Sequence, residues 1–317
     1  MPGSQIVAGP VAMDEQRVRD LVESRAGRPE AIAEAAATRP RRSSLLGPNG
    51  RFMIIAADHP ARASLGAGGR PAAMADRWEL LARLVTALAR PGVDGVLATA
   101  DIVEDLLLLG ALDDKVVIGS MNRGGLARSV FELDDRFTGY TAESLAALGF
   151  EGGKMLLRID LADPGTARTL EASATAINEL AARGLMAMVE PFWTRRLSPD
   201  RVRNDLTTDA VVLSVAVAAG LGSTSAYTWL KLPVVDDMER VLAASTLPAL
   251  LLGGDAGESE EEVEEMYGRW AAALKLPTAR GIVAGRALLY PPDDDVAAAV
   301  DRAVGLLADA DSGVVRR

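Results

Sequence analysis

From residue 51 to residue 308 the chain repeats one pattern eight times: a short apolar run, a turn, then a stretch with helical spacing. The apolar runs are "RFMIIAAD" (51–58), "GVDGVLAT" (92–99), "KVVIGS" (115–120), "GGKMLLRID" (152–160), "LMAMVEPFW" (185–193), "YTWLKLPV" (227–234), "PALLLGG" (248–254) and "ARGIVAG" (279–285). Helical spacing follows each of them, near 73–90, 101–110, 139–149, 166–184, 205–220, 236–245, in the acidic stretch "ESEEEVEEMYGRWAAALK", and at 293–308. Short apolar strands alternating with helices predict a parallel sheet. Eight units over this length predict a closed (β/α)₈ barrel, with helices in 13–37 forming an N-terminal extension. The competing open, doubly wound sheet lacks support, because no G-x-G-x-x-G follows the first strand. The expected organisation is therefore an extension over 1–48, a barrel over 49–310 and a short tail over 311–317.

Composition narrows the partners. A net charge of −10 disfavours nucleic acid and anionic membranes, so a phosphorylated substrate needs a local cluster of donors. The absence of cysteine excludes disulfides and thiolate metal sites, and a single histidine, His59, excludes centres built on several imidazoles. There is neither a leader pattern nor a long uninterrupted apolar run, so the expectation is a cytoplasmic protein with no membrane partner. A small phosphorylated substrate, no cofactor and a homo-oligomeric assembly complete that expectation.

Of the 34 basic residues only four are lysine, at 115, 154, 231 and 275. Where positive charge alone is needed this chain uses arginine, and lysine differs in that its amine can lose a proton and attack a carbonyl. Lys115 in a turn and Lys275 at a helix end read as surface groups. Lys154 and Lys231 lie inside strand runs. Catalysis in such barrels sits at the C-terminal strand ends, which selects Asp58, Asp160, Glu190 and Lys231. Strand alternation puts Met155, Leu157 and Ile159 on the helix side of the fourth strand, and Lys154, Leu156, Arg158 and Asp160 on the inside. Lys154 and Lys231 then face one interior, where burial and like charge lower their pKa values and favour a Schiff-base nucleophile. Lys154 lies early in its strand and must reach upward. The bland alternatives are an edge lysine or one paired inertly with an acid, a turn at Asp58-His59-Pro60, a strand end at Glu190, and packing of Arg158 against Asp160 or Glu190.

Glycines after the seventh and eighth strands, Gly253, Gly254 and Gly285, let backbone N–H groups approach an anion, and Arg286 adds a fork of donors. Trp193, Tyr227 and Trp229 are equally compatible with core, rim or substrate wall.

Together "AADHP", "GGKMLLRID", "VEPFW", "WLKLPV", "LLGGDA" and "GIVAGRALLYP" resemble the class I aldolases of the group containing deoxyribose-phosphate, tagatose-bisphosphate and archaeal-type fructose-bisphosphate aldolases. The resemblance spans about 50–292 and is closest to the tagatose-bisphosphate branch. It implies a Schiff-base lysine at Lys231, a general acid/base at Glu190, and Lys154 and Asp58 as further catalytic groups. It also implies phosphate contacts at Gly253, Gly254, Gly285 and Arg286, and no metal, and from their place at the barrel mouth Arg158 and Trp193 are expected to be substrate contacts. The first motif departs from relatives that have Asp-Gln or Asp-His-Gly. A similar actinobacterial branch linked to inositol breakdown implies cleavage of 6-phospho-5-dehydro-2-deoxygluconate to dihydroxyacetone phosphate and malonate semialdehyde. Other ketose phosphates, including tagatose or fructose bisphosphate, deoxyribose phosphate and sulfosugar phosphates, are the alternatives. Two rivals of another class are a Mg²⁺-dependent lyase or isomerase using Asp58, Asp160 and Glu190, and a non-catalytic phosphosugar-binding protein.

Overall fold

The structure, a computed structural model, describes residues 13–47, 50–255, 257 and 259–312. Two helices, α1 (Glu15–Gly27) and α2 (Ala31–Thr38), precede β1 (Phe52–Ala56) and α3 (Arg77–Leu88). There follow β2 (Gly95–Ala98), α4 (Ala100–Leu108), β3 (Val116–Ser120), α5 (Ala142–Ala147), β4 (Gly152–Ile159) and α6 (Gly165–Ala181). The second half has β5 (Met186–Ser198), β6 (Arg201–Asn204), α7 (Thr208–Ala219), β7 (Thr228–Leu232), α8 (Met238–Ala243), β8 (Ala249–Leu252) and α9 (Glu260–Ala273). It ends with β9 (Ala279–Ala284), α10 (Arg286–Leu289) and α11 (Val296–Ser312). Each strand except β6 pairs in parallel with its neighbours, and the β1–β9 and β4–β5 pairings close eight of them into a barrel. The chain therefore has the expected (β/α)₈ fold.

Local chemistry trims the expected helices. Asp76 accepts from the N–H groups of Trp78 and Glu79 and so starts α3 later than its apolar spacing suggests. Thr141 and Ser144 form a reciprocal cap that delays α5 in the same way. The helix expected at 293–308 is α11, which starts three residues later and runs through Asp311 and Ser312 of the expected tail, and the single turn α10 precedes it directly after β9. Residues 1–12, 48 and 313–317 of the expected extension and tail lie outside the described residues.

The hairpin β5–β6 was not foreseen. β5 pairs with β4 as far as Trp193, then leaves the barrel and folds back on β6 with an antiparallel register. Asp160 anchors the ribbon by accepting from the Arg196 backbone N–H at 2.9 Å.

Two apolar layers follow from strand alternation. Inward residues such as Phe52, Ile54, Leu97, Met188 and Leu250 fill the barrel, and Trp229 joins them edge-on to Phe52 at 5.4 Å. Outward residues such as Met155, Leu157, Leu230 and Leu232 join the layer beneath the helices. Trp229 is thus interior filling, whereas Tyr227 is exposed.

The segment after α2 closes the floor. Arg39 bonds the carbonyls of Lys115 and Gly149 at 2.9 and 3.0 Å and pairs with Glu151 at 3.1 Å. Arg42 pairs with Asp94 at 2.6 Å, and Leu45 and Leu46 pack under the inner layer. Lys115 corrects the surface reading: its Nζ donates to the Val93 carbonyl at 2.7 Å, and burial lowers its pKa. Lys275 is exposed as expected.

At the β1–β9 seam, Gly281 opposes Phe52 with φ of 142°, and a Cβ there would stand 2.1 Å from the Phe52 carbonyl oxygen. One extra residue in β9 relative to β8 marks a bulge at this point. Gly281→Ala is expected to lower stability by about 2–5 kcal/mol, through backbone strain and overpacking together. A urea midpoint unchanged from wild type would disprove that role.

Candidate active site

Lys231 is the inward residue near the C-terminal end of β7, two positions above Trp229, and is only 3% exposed. β5 and β7 pair Val189 with Leu230, so one step further Glu190 and Lys231 lie side by side. Their Nζ and Oε1 atoms are 2.7 Å apart. The other Glu190 oxygen is ion-paired with Lys154. In register Leu156, not Lys154, is opposite Glu190, so the Lys154 side chain climbs one layer to reach it. Its Nζ is also 3.0 Å from Asp58, which follows β1 and is ion-paired to Arg123. The result is a chain of alternating charge, Lys231–Glu190–Lys154–Asp58–Arg123, in which every member is buried.

Burial dominates its electrostatics. It pushes the Lys231 amine down against the pull of Glu190, and Arg123 and Arg286 push it further. Burial, reinforced by Arg123, places Lys154 well below the ordinary lysine range. Burial works to raise the Glu190 carboxyl, but Lys154, Lys231 and Arg123 together hold it well below the usual carboxylate range. Two carboxylates facing one guanidinium and two amines balance when one amine is neutral. Lys231 lines the cavity and Lys154 does not, so of the two amines it is Lys231 that a ligand in the cavity would meet.

The cavity above this chain has a volume of about 390 Å³ and opens at the C-terminal end of the barrel. One side holds Gly253, Gly254, Gly285 and Arg286, all four expected from the sequence. Gly254 has φ of 67° with open space where a Cβ would stand, a conformation that suits close approach of an anion. Arg286 contacts Asp255 at 3.2 Å, while its Nε has no partner. Across the barrel from β8 and β9 lie β3 and β4, whose ends supply Arg123 and Arg158. Arg62 and Glu132 join them on that side.

Several expected residues take other places. Asp58 and Lys154 lie beneath the cavity rather than on its surface, and Asp58 is ion-paired with Lys154 and Arg123 there. Arg158 lines the cavity, but its fork is engaged by Asp135 at 2.8 and 2.9 Å and by Glu132 at 3.0 Å, not by Asp160 or Glu190. These bonds hold the loop after β3. Trp193 faces outward into the helix layer, and its neighbour Phe192, of opposite parity, forms the wall. Asp160 caps its own loop and the hairpin and does not converge with Asp58 and Glu190. Among the described residues no three carboxylate or imidazole side chains gather as a metal site.

Sequence reasoning missed Arg62, Arg123, Glu132 and Asp135. They belong to loops, where no periodicity reports direction, although the length of the segment after β3 and its mixed arginines and acids were a usable signal. His59 was read only as a turn residue. It lines the cavity with a partly buried ring, whose pKa desolvation, then Arg286 and Lys231, lower well below the ordinary histidine value.

Comparison with known proteins places this geometry. The crystal structure of Cgl0159 from Corynebacterium glutamicum (Brevibacterium flavum) is 52% identical, covers 93% of this chain and 98% of its own, and superposes with a TM-score of 0.89. A Schiff-base-forming fructose-1,6-bisphosphate aldolase shares the fold at 19% identity and a TM-score of 0.60, covering 87% of this chain and 99% of its own. An archaeal fructose-1,6-bisphosphate aldolase, captured with its catalytic lysine bound to a carbinolamine intermediate, shares it at 19% identity and a TM-score of 0.59, covering 89% and 100%. No curated protein matches, and no described helix is long and apolar enough to cross a membrane. The Cgl0159-like family model matches residues 50–304, and the chain belongs to that family.

Proposed function

We propose that this protein is a class I aldolase that cleaves a phosphorylated keto sugar or keto sugar acid through a Schiff base on Lys231. The carrying observation is the buried amine at the cavity floor, 2.7 Å from a carboxylate whose second oxygen is paired with another buried lysine. Two barrels of the same fold are Schiff-base aldolases, which supports the reading.

In this mechanism the Lys231 lone pair adds to the substrate ketone. The proton that Nζ sheds passes through Glu190 to the carbinolamine oxygen, and one further proton, taken from solvent and delivered by the same carboxyl, lets that oxygen leave as water, so the neutral amine becomes a positively charged iminium. Glu190, again a carboxylate, then removes the proton from the hydroxyl two carbons away from the iminium carbon. The carbon–carbon bond breaks, the aldehyde departs, and the bonding pair moves into the iminium to give an enamine. Protonation of the enamine and hydrolysis release the second product and the amine. Lys154, held by Asp58, keeps Glu190 ionised between transfers. A phosphate at the Gly254 and Arg286 side fixes the ketone against the amine. The preferred substrate is 6-phospho-5-dehydro-2-deoxygluconate, giving dihydroxyacetone phosphate and malonate semialdehyde, and other ketose phosphates are the alternatives.

The test is borohydride reduction in the presence of this substrate and of ketose phosphates, followed by peptide mass mapping. A reduced adduct on the peptide carrying Lys231 is expected. No adduct with any of them, or an adduct elsewhere, overturns the mechanism. Binding without turnover or trapping marks a phosphosugar-binding protein instead.

A further inference from the structure

Two arginines in the cavity have no role in the proposed chemistry, and both are incompletely bonded. Arg123 is 7% exposed and uses one terminal nitrogen on Asp58, while its Nε has no partner. Arg62 uses a terminal nitrogen on Glu132 at 3.2 Å, and its Nε is likewise buried without a partner. A buried N–H donor left unpaired is costly, and an acceptor from a ligand that reached these two would remove that cost. Burial, with Arg158 close by, brings Arg62 down to about 10, and burial brings Arg123 to about 10, in both cases against the pull of neighbouring carboxylates.

We infer that Arg62 and Arg123 form a recognition site for a substrate carboxylate, at the end of the substrate opposite its phosphate. The inference rests on the proposed function only in assigning the phosphate to the Gly254 and Arg286 side. Charge selects carboxylate over a second phosphate. Arg62 and Arg158 are already matched by Glu132 and Asp135, and Arg123 and Lys154 by Asp58 and Glu190. With Lys231 neutral this side carries no surplus charge. When Lys231 becomes an iminium it gains one positive charge, which a single carboxylate restores to balance and a dianionic phosphate exceeds. The two Nε donors supply what a carboxylate accepts.

The test uses three probes without a ketone, so that Lys231 chemistry plays no part: gluconate 6-phosphate, glucitol 6-phosphate and glucitol 1,6-bisphosphate. In calorimetric titration the wild-type protein is expected to bind the acid at least about tenfold more tightly than either of the others. Arg62→Gln is expected to reduce the preference for acid over alcohol to less than about threefold while leaving glucitol 6-phosphate binding unchanged. A melting curve checks the fold of the variant, and the wild-type comparison stands without it. Equal binding of acid and alcohol, tightest binding of the bisphosphate, no binding of the acid, or a preference unchanged in Arg62→Gln overturns the inference. An intact acid preference with no borohydride adduct on Lys231 instead removes the aldolase reading and leaves this one standing.

Discussion

Lys231→Met is expected to abolish the borohydride-trapped adduct and to lower cleavage by at least about 10⁴-fold, because no other group can form the iminium that accepts the bonding electrons. Lys154 is the only other amine nearby, and it is held beneath the cavity floor between Asp58 and Glu190. Methionine matches the lysine stem in length and replaces a neutral amine by a neutral thioether. The remaining carboxylates, Asp58 and Glu190, still face two cations, Lys154 and Arg123. Stability should therefore change by less than about 1.5 kcal/mol, as for other volume-conserving core exchanges. A variant that keeps its fold and its phosphate binding but loses both adduct and turnover supports the assignment. Residual adduct formation on Lys154 would show that the floor opens and that the two lysines exchange roles.

The fold was readable because its determinant is periodic. Apolar runs separated by helical spacing report a barrel without knowledge of any tertiary contact, strand parity directed Lys154 and Arg158 inward, and the position at C-terminal strand ends selected Glu190 and Lys231. Parity also assigns Trp193, which follows Phe192 by one residue and so points the other way. The scarcity of lysine isolated the two that matter. Depth was less accessible. Nothing in "GGKMLLRID" states that Lys154 ends below the cavity floor, because that depends on the stagger between β4 and β5 and on the reach of a four-carbon stem. The wall formed by Arg62, Arg123, Glu132 and Asp135 depends on loops whose course is fixed by their own ion pairs. Such contacts join residues distant in sequence, and no local pattern encodes them. The hairpin β5–β6 escaped for a related reason: "TRRLSPDRVRN" is a polar ribbon outside the core, so burial leaves no mark on its alternation.

Glu190→Gln separates nucleophile from proton carrier. Glutamine preserves the shape of the side chain but cannot take the proton from Lys231 or deliver it to the departing hydroxyl. Turnover is expected to fall by about 10²–10⁴-fold, the usual contribution of a positioned acid or base. The adduct should still form, more slowly, because Lys231 remains in place. The pH profile gives a second signature. Glu190 is the carboxylate that favours the charged form of Lys231, at 2.7 Å, while burial, Arg123 and Arg286 oppose it. Without the carboxylate the amine loses its proton more readily, so the acidic limb of adduct formation should move to lower pH. Stability should respond with the same sign. Buried amines whose pKa is depressed bind fewer protons folded than unfolded, so the variant is least stable at acid pH and recovers as pH rises toward the ordinary lysine pKa. Loss of one partner from a buried ion pair places the deficit at about 3–5 kcal/mol where both amines are forced to carry charge. Wild-type turnover in Glu190→Gln would remove the carboxylate from the proton path. An acidic limb displaced upward would show instead that Glu190 does not hold the proton on Lys231.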